Sequence, residues 1–316
     1  MYYERSGHFR AAAHILTKLA ERRSPDVNLY KRLEYLSRAI VCMKSSDSRP
    51  TALFGDTTQS TAGEFLHELE EKMEVSRIQL HILESLHKLS DSVPTQEAIN
   101  ALNCDLLDIT QLYEEFADRF NLAECQLAIL HCAGHHDPNL IETIWRNIID
   151  SDLRAVSSMS SDAQKNLICN KIKHLAKLYM SSEKYFPIEF IVKYLETKTQ
   201  NFEFESQWLT ESLLEMGVKL TDLLDLYHKL YKSRELSTSW PRKQIHLLRV
   251  LAFIINAFTF NQSLVSFAER RHFCTKSLDV LSAYLIDLQT MDSEDRAVRS
   301  LLYDLKAIKA KVERCV

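Results

Sequence analysis

"EFLHELEEKMEVSRIQLHILESLHKLS", residues 64–90, carries its apolar side chains on two different arcs of one helix. Leu66, Leu69 and Met73 recur at spacings of three and four and define one stripe, while Ile78, Ile82, Leu86 and Leu89 continue on an offset arc. A helix lying on a surface has only one stripe to bury. A helix gripped on two sides by neighbours needs the wider arc, which is the condition met in stacked hairpins. The expected fold is all-α, an irregular α-solenoid of stacked antiparallel helical hairpins. No repeat of fixed period runs through the chain, which disfavours tetratricopeptide and ankyrin arrays.

The rest of the chain reads the same way. In "YYERSGHFRAAAHILTKLAE", residues 2–21, Phe9, Ala12, Ala13, Leu16, Leu19 and Ala20 fall at helical spacing, and Gly7 separates them from a turn carrying Tyr2 and Tyr3. Glycine can take the left-handed conformation that ends a helix, and the small alanines let a second helix approach closely, so a helix–Gly–helix hairpin is expected. Further helices are predicted over 28–44, 64–90, 95–102, 106–121, 123–132, 138–156, 162–181, 187–199, 205–216, 220–232, 241–258, 261–288 and 293–315. Pro138, Pro187 and Pro241 stand at first-turn positions, and Thr95, Ser161 and Asp162 can cap. No stretch alternates with period two for more than a few residues, so no sheet is predicted.

The clear interruption is "SSDSRPTALFGDTTQSTAG", residues 45–63, rich in Ser, Thr, Asp and Gly. It is far longer than the usual connection of about 4–6 residues and is expected to be a mobile loop, with Leu53 and Phe54 either packing back or exposed. Residues 1–316 otherwise read as a single segment, and only five Gly and six Pro in 316 residues favour long regular elements.

The formal net charge of −4 argues against a wholesale polyanion binder. The charge is unevenly spread. The stretch from Glu64 to Glu124 is acidic, and from Lys229 to Lys276 basic residues outnumber acidic ones. The seven cysteines form an odd set without a C-x-x-C, which favours a reducing compartment over a disulfide framework. "LLRVLAFIINAFTF", residues 247–260, is too short for the ~20 apolar residues of a membrane span and contains Arg249 and Asn256, so it reads as a deeply buried helix.

Catalytic signals are few. "HCAGHHDP" gathers His131, Cys132, His135, His136 and Asp137. Zinc requires about four ligands, and no second Cys/His pair follows at a zinc-finger spacing. The plainer account is a helix C-terminus carrying imidazoles, ended by Gly134, before Asp137 and Pro138 start the next. The glycines never cluster into a phosphate loop, and neither G-x-S-x-G nor H-E-x-x-H occurs. No catalytic residue, cofactor or metal ligand is assigned, and the chain is read as not an enzyme.

In the basic third, aromatic residues interleave with the charges. Trp240, Arg242, Phe258, Phe260, Arg270, Arg271 and Phe273 are the candidate residues of a groove that takes a peptide, with aromatic pockets and a basic rim. The competing account is a helical core whose charged faces are simply solvated.

Residues 2–21, followed by "LYKRLEYLSRAIVCMKS", "ECQLAILHCAGHHDPNLIETIWRNII" and "FPIEFIVKYLE", resemble in order and spacing the C-terminal α-solenoid of the nucleoporin 155/170 family, inner-ring scaffolds of the nuclear pore complex. The resemblance covers residues 2 to about 196. It implies a portion of a longer protein in which a β-propeller and earlier helices come first. It also implies a structural role at the nuclear pore complex of the nuclear envelope, supporting pore assembly and nucleocytoplasmic transport. The implied partners are other nucleoporins, especially a linker segment of the nucleoporin 98 type. The membrane and the nucleoporin 35/53 adaptor are associated with the propeller end, so no direct membrane contact is expected here.

Other classes share parts of this pattern. A helical-repeat adaptor of a vesicle coat would show the same stacking without the ordered motifs. A nucleic-acid-binding helical repeat would use the basic 229–276 face and show steep salt dependence. A hydrolase built on His131, Cys132 and His135 would need bound metal.

Overall fold

The computed structural model describes residues 3, 6–47, 57–89, 92–156, 158–199, 202, 204–233, 241–290 and 296–315. Every regular element among them is helical. The helices are α1 (Phe9–Glu21), α2 (Leu29–Asp47), α3 (Thr57–Leu86), α4 (Val93–Cys104) and α5, in which Ile109–Gln111 runs on as a π-helix, Leu112–Asp118. They continue as α6 (Ala123–Ala133), α7 (Pro138–Val156), α8 (Ser161–Tyr179), α9 (Ile188–Lys198), α10 (Trp208–Glu215) and α11 (Leu220–Lys232). The last are α12 (Pro241–Phe260), α13 (Phe267–Thr290) and α14 (Arg296–Glu313), with a 3₁₀ turn, Gln262–Leu264, between α12 and α13. The chain divides into two compact units, Met1–Ile148 and Ile149–Val316, the division falling inside α7.

In the first unit α3 is the helix with two partners. Its Leu69 and Met73 join Ala12, Ala13, Leu16 and Ala20 of α1 and Leu36, Ala39 and Met43 of α2 in one apolar cluster. One turn and more further on, Ile82, Leu83 and Leu86 join Ala98, Ile99 and Leu102 of α4, Phe116 of α5 and Ile129 of α6 in a second cluster. The two arcs seen in the sequence are the two clusters. Burial of each such leucine or isoleucine stabilises the fold by about 1.5–3 kcal/mol. Leu89, placed on the second arc by its spacing, lies past the end of α3 and is exposed.

Two buried polar side chains close this unit. Arg32 of α2 has no exposed surface. Its Nη1 donates to the carbonyls of Ala20 (2.6 Å) and Arg22 (2.7 Å), its Nη2 to Ser24 (2.9 Å) and Cys104 (2.5 Å), and its Nε to Asn103 (3.2 Å). Gln79 of α3 donates through Nε2 to the carbonyls of Leu102 and Asp105, each at 2.7 Å, and accepts from the Leu107 amide at 3.0 Å. The last carbonyls of a helix have no partner within it, so these two side chains satisfy the ends of α1 and α4 while joining them to α2 and α3.

Several predicted boundaries shift. Helix occupies 45–47 and 57–63 of the stretch read as a loop; 48–56, with Leu53 and Phe54, lie outside the described residues. The single helix expected over 261–288 is broken. Asn261 Oδ1 accepts from the Ser263 amide (3.1 Å), and the Ser266 hydroxyl donates to Glu269 (2.6 Å) in an S-x-x-E start that opens α13. The helix expected over 106–121 is shorter, starting at Ile109, taking π form over Leu112–Asp118 and giving way to a turn in which Asn121 has φ 52°. Gly134 ends α6 in the left-handed conformation, φ 65°, as its position after the histidines predicts. Among the described residues no group of three or more His, Cys, Asp or Glu side chains could hold a metal ion, and no described helix is long and apolar enough to cross a membrane.

In the second unit α11 carries the polar ties. Tyr227 donates to the buried Glu196 of α9 (2.7 Å), which also meets Nε2 of His246 of α12 (2.8 Å). Tyr231 donates to Asp287 of α13 (3.0 Å), and His228 Nδ1 shares a 2.5 Å hydrogen bond with the Tyr284 hydroxyl. Burial, reinforced by Lys232 and Lys276, holds the His228 imidazolium below its ordinary pKa against the opposing pull of Asp225.

Two outcomes test these ties. Replacing Arg32 by Met keeps the aliphatic bulk and strands buried carbonyls, each costing about 1–3 kcal/mol, so urea unfolding should show a loss of at least about 3 kcal/mol. For His228, the folded-state pKa lies below the unfolded value near 6.5, so the unfolded chain binds more protons as acid is added. Stability from this group is complete above that value and declines as pH falls through it, levelling off below the folded pKa. The urea midpoint of His228→Gln should vary less between pH 7.5 and 5.5 than that of the parent chain.

Candidate interaction surface

The residues proposed for a groove separate into core and surface. Phe258 and Phe273 are each 1% exposed and pack on one another across α12 and α13 with ring centres 4.9 Å apart. This corrects their assignment as peptide contacts, because their faces are already filled by the core. Phe260, two positions after Phe258, is 77% exposed. Arg270 is held by donation from Nε to the Val265 carbonyl (3.1 Å), and its guanidinium lies 5.7 Å from the ring centre of Phe267, which is 87% exposed. Arg271 is exposed. Trp240 and the side chain of Arg242 lie outside the described residues.

The structure adds residues that composition did not single out. On α12, Arg249, Phe253 and Asn256 precede Phe260 at i, i+4 and i+7, and Phe260 completes the row at i+11, so the four share one face. α14 lies opposite with Leu301, Asp304, Ile308 and Lys311, and the groove between the two helices has a volume of about 280 Å³. Lys311 reaches across it, its Nζ 4.9 Å from the ring centre of Phe260 and 3.3 Å from Asn256 Oδ1. The heptad-like row on α12 was available in the sequence; its pairing with α14 was not.

A larger groove, about 530 Å³, lies between the end of α8 and the starts of α9 and α11. Its floor includes Met180, Phe186, Val218 and Leu226, and its rim carries Glu183, Glu189, Asp222 and Asp225 with Lys219 and Lys229. Lys229 pairs with Glu189 (2.6 Å), and Lys276 pairs with Asp225. Ion pairs therefore occupy part of the basic excess between residues 229 and 276, which leaves less of it to meet a polyanion.

The chain resembles known proteins along its whole length. The family described as "Non-repetitive/WGA-negative nucleoporin C-terminal" matches residues 1–298. The nuclear pore complex protein Nup154 of Drosophila melanogaster is 33% identical over 99% of this chain, and nucleoporin NUP170 of Saccharomyces cerevisiae 26% identical over 60% of it. The chain spans 22% and 12% of the lengths of these relatives. Among solved structures, a mutant C-terminal domain of Chaetomium thermophilum Nup170 superposes with a TM-score of 0.79 at 19% identity, covering 100% of this chain and 62% of that one. The same domain in complex with Nup145N gives 0.74 at 19% identity, covering 98% and 62%. The fold is thus the irregular α-solenoid of those domains, reached from a sequence that shares few residues with them. With a nucleoporin family model matching nearly all of the chain, and with Nup154 and Nup170 among its relatives, this chain belongs to the nucleoporin 155/170 family of nuclear pore proteins.

Proposed function

We propose that residues 1–316 form one segment of a scaffold of the inner ring of the nuclear pore complex, whose stacked helices receive a disordered linker of another nucleoporin, of the nucleoporin 98 type. The observation that carries this reading is the similarity to the Nup170 C-terminal domain crystallised with Nup145N. Its surface chemistry agrees: grooves between helices offer apolar floors and charged rims, and exposed aromatic rings stand beside cations. A linker that is disordered when free loses ordering entropy on docking, so a few apolar anchors must supply most of the affinity. By holding such linkers the segment ties neighbouring pore components together and thereby supports pore assembly and transport.

Titration of the purified chain with peptides tiling the linkers of inner-ring nucleoporins, read by calorimetry, tests this. One tile of the nucleoporin 98 type should bind saturably with a negative heat-capacity change, the mark of apolar burial. Absence of binding by every tile would overturn the linker reading and leave contacts between large folded surfaces as the scaffold's means of assembly.

A further inference from the structure

We propose that the groove between α12 and α14 docks an acidic, extended segment of another polypeptide, with aromatic or aliphatic side chains as its anchors; this rests on the linker-binding reading above. Three features point to that occupant. Phe260 stands 77% exposed at one end of the groove with the Lys311 ammonium over its ring, an arrangement that leaves an aromatic wall and a cation facing outward together. Arg249, at the other end of the same helical face, is exposed and pairs with no carboxylate among the described residues. Against these two cations the groove lining holds one carboxylate, Asp304.

The pattern repeats around the turn that follows α12, where Arg270 lies over the exposed Phe267. Aromatic and arginine side chains are the residue types that dominate binding energy at interfaces. The floor between the cations is apolar, formed by Phe253, Leu301 and Ile308. Carboxylates of a bound segment meet Arg249 and Lys311 while its apolar side chains lie on that floor and against Phe260. The α8/α9/α11 groove has the opposite character, with four carboxylates against two lysines on its rim, and suits a basic segment. Charge therefore directs an acidic segment to α12 and α14.

The test uses the intact chain and the same set of linker peptides, labelled for fluorescence anisotropy, at about 50 mM and 500 mM salt. Phe260→Ala and Arg249→Glu alter exposed side chains, and circular dichroism checks that each variant stays helical. The expected result is an acidic tile whose affinity falls about tenfold or more in each variant and weakens at high salt, with no change in Lys219→Glu on the other groove. Saturable binding of equal strength in the parent chain, Phe260→Ala and Arg249→Glu would overturn the groove while leaving the linker reading intact. So would selection of a basic tile that Lys219→Glu or Asp222→Lys alters. Failure of every tile to bind the parent chain would overturn the linker reading and the groove with it.

Discussion

Helix ends set the central constraint on this fold. A stack of short helices multiplies termini, and each C-terminus leaves carbonyl oxygens without partners. Where the stack buries those termini, water cannot serve them, and the cost of leaving them bare is large beside the few kcal/mol of net stability. In the first unit Arg32 and Gln79 meet this demand from the flanking helices. Their donors reach carbonyls of Ala20, Arg22, Ser24, Leu102, Asn103, Cys104 and Asp105. Neither side chain could be apolar without leaving those carbonyls unpaired.

The second unit is held by polar ties of a different kind. There the ties are side chain to side chain, with Tyr227, His228 and Tyr231 of α11 hydrogen-bonded to partners on α9 and α13. Tyrosines combine a large apolar face with a terminal hydroxyl, so each packs into the core and still fixes a neighbour at a defined register. Glu196 is buried with hydrogen-bond partners on α11 and α12, as a polar group removed from water requires. Beside this interior, α12 and α14 pack on one another and leave a groove between them.

Charge is spread along the helical faces in ion pairs. Exposed ion pairs such as Lys44 with Glu70, and Lys72 with Glu21 and Glu68, contribute little stability individually but keep long helical faces soluble. Between such faces, apolar floors remain open in the grooves.

Much of this could be read from residue order. Two arcs of leucine and isoleucine on residues 64–90 require two packing partners, and that is a property of helical periodicity alone. Gly134 after a run of helix formers, and proline at the starts of α7 and α12, mark boundaries because backbone geometry is local. The break before α13 was also present, as the S-x-x-E at Ser266, but the surrounding apolar period concealed it. Phe258 and Phe260 show where such reading stops. They differ by roughly 200° around one helix, so only one of them can face the core, and composition treats them alike. Which one faces inward depends on where α13 lies, and the groove beside the other depends on α14, which follows only after the whole of α13 in the chain. Those contacts arise from long-range packing, which no local pattern encodes.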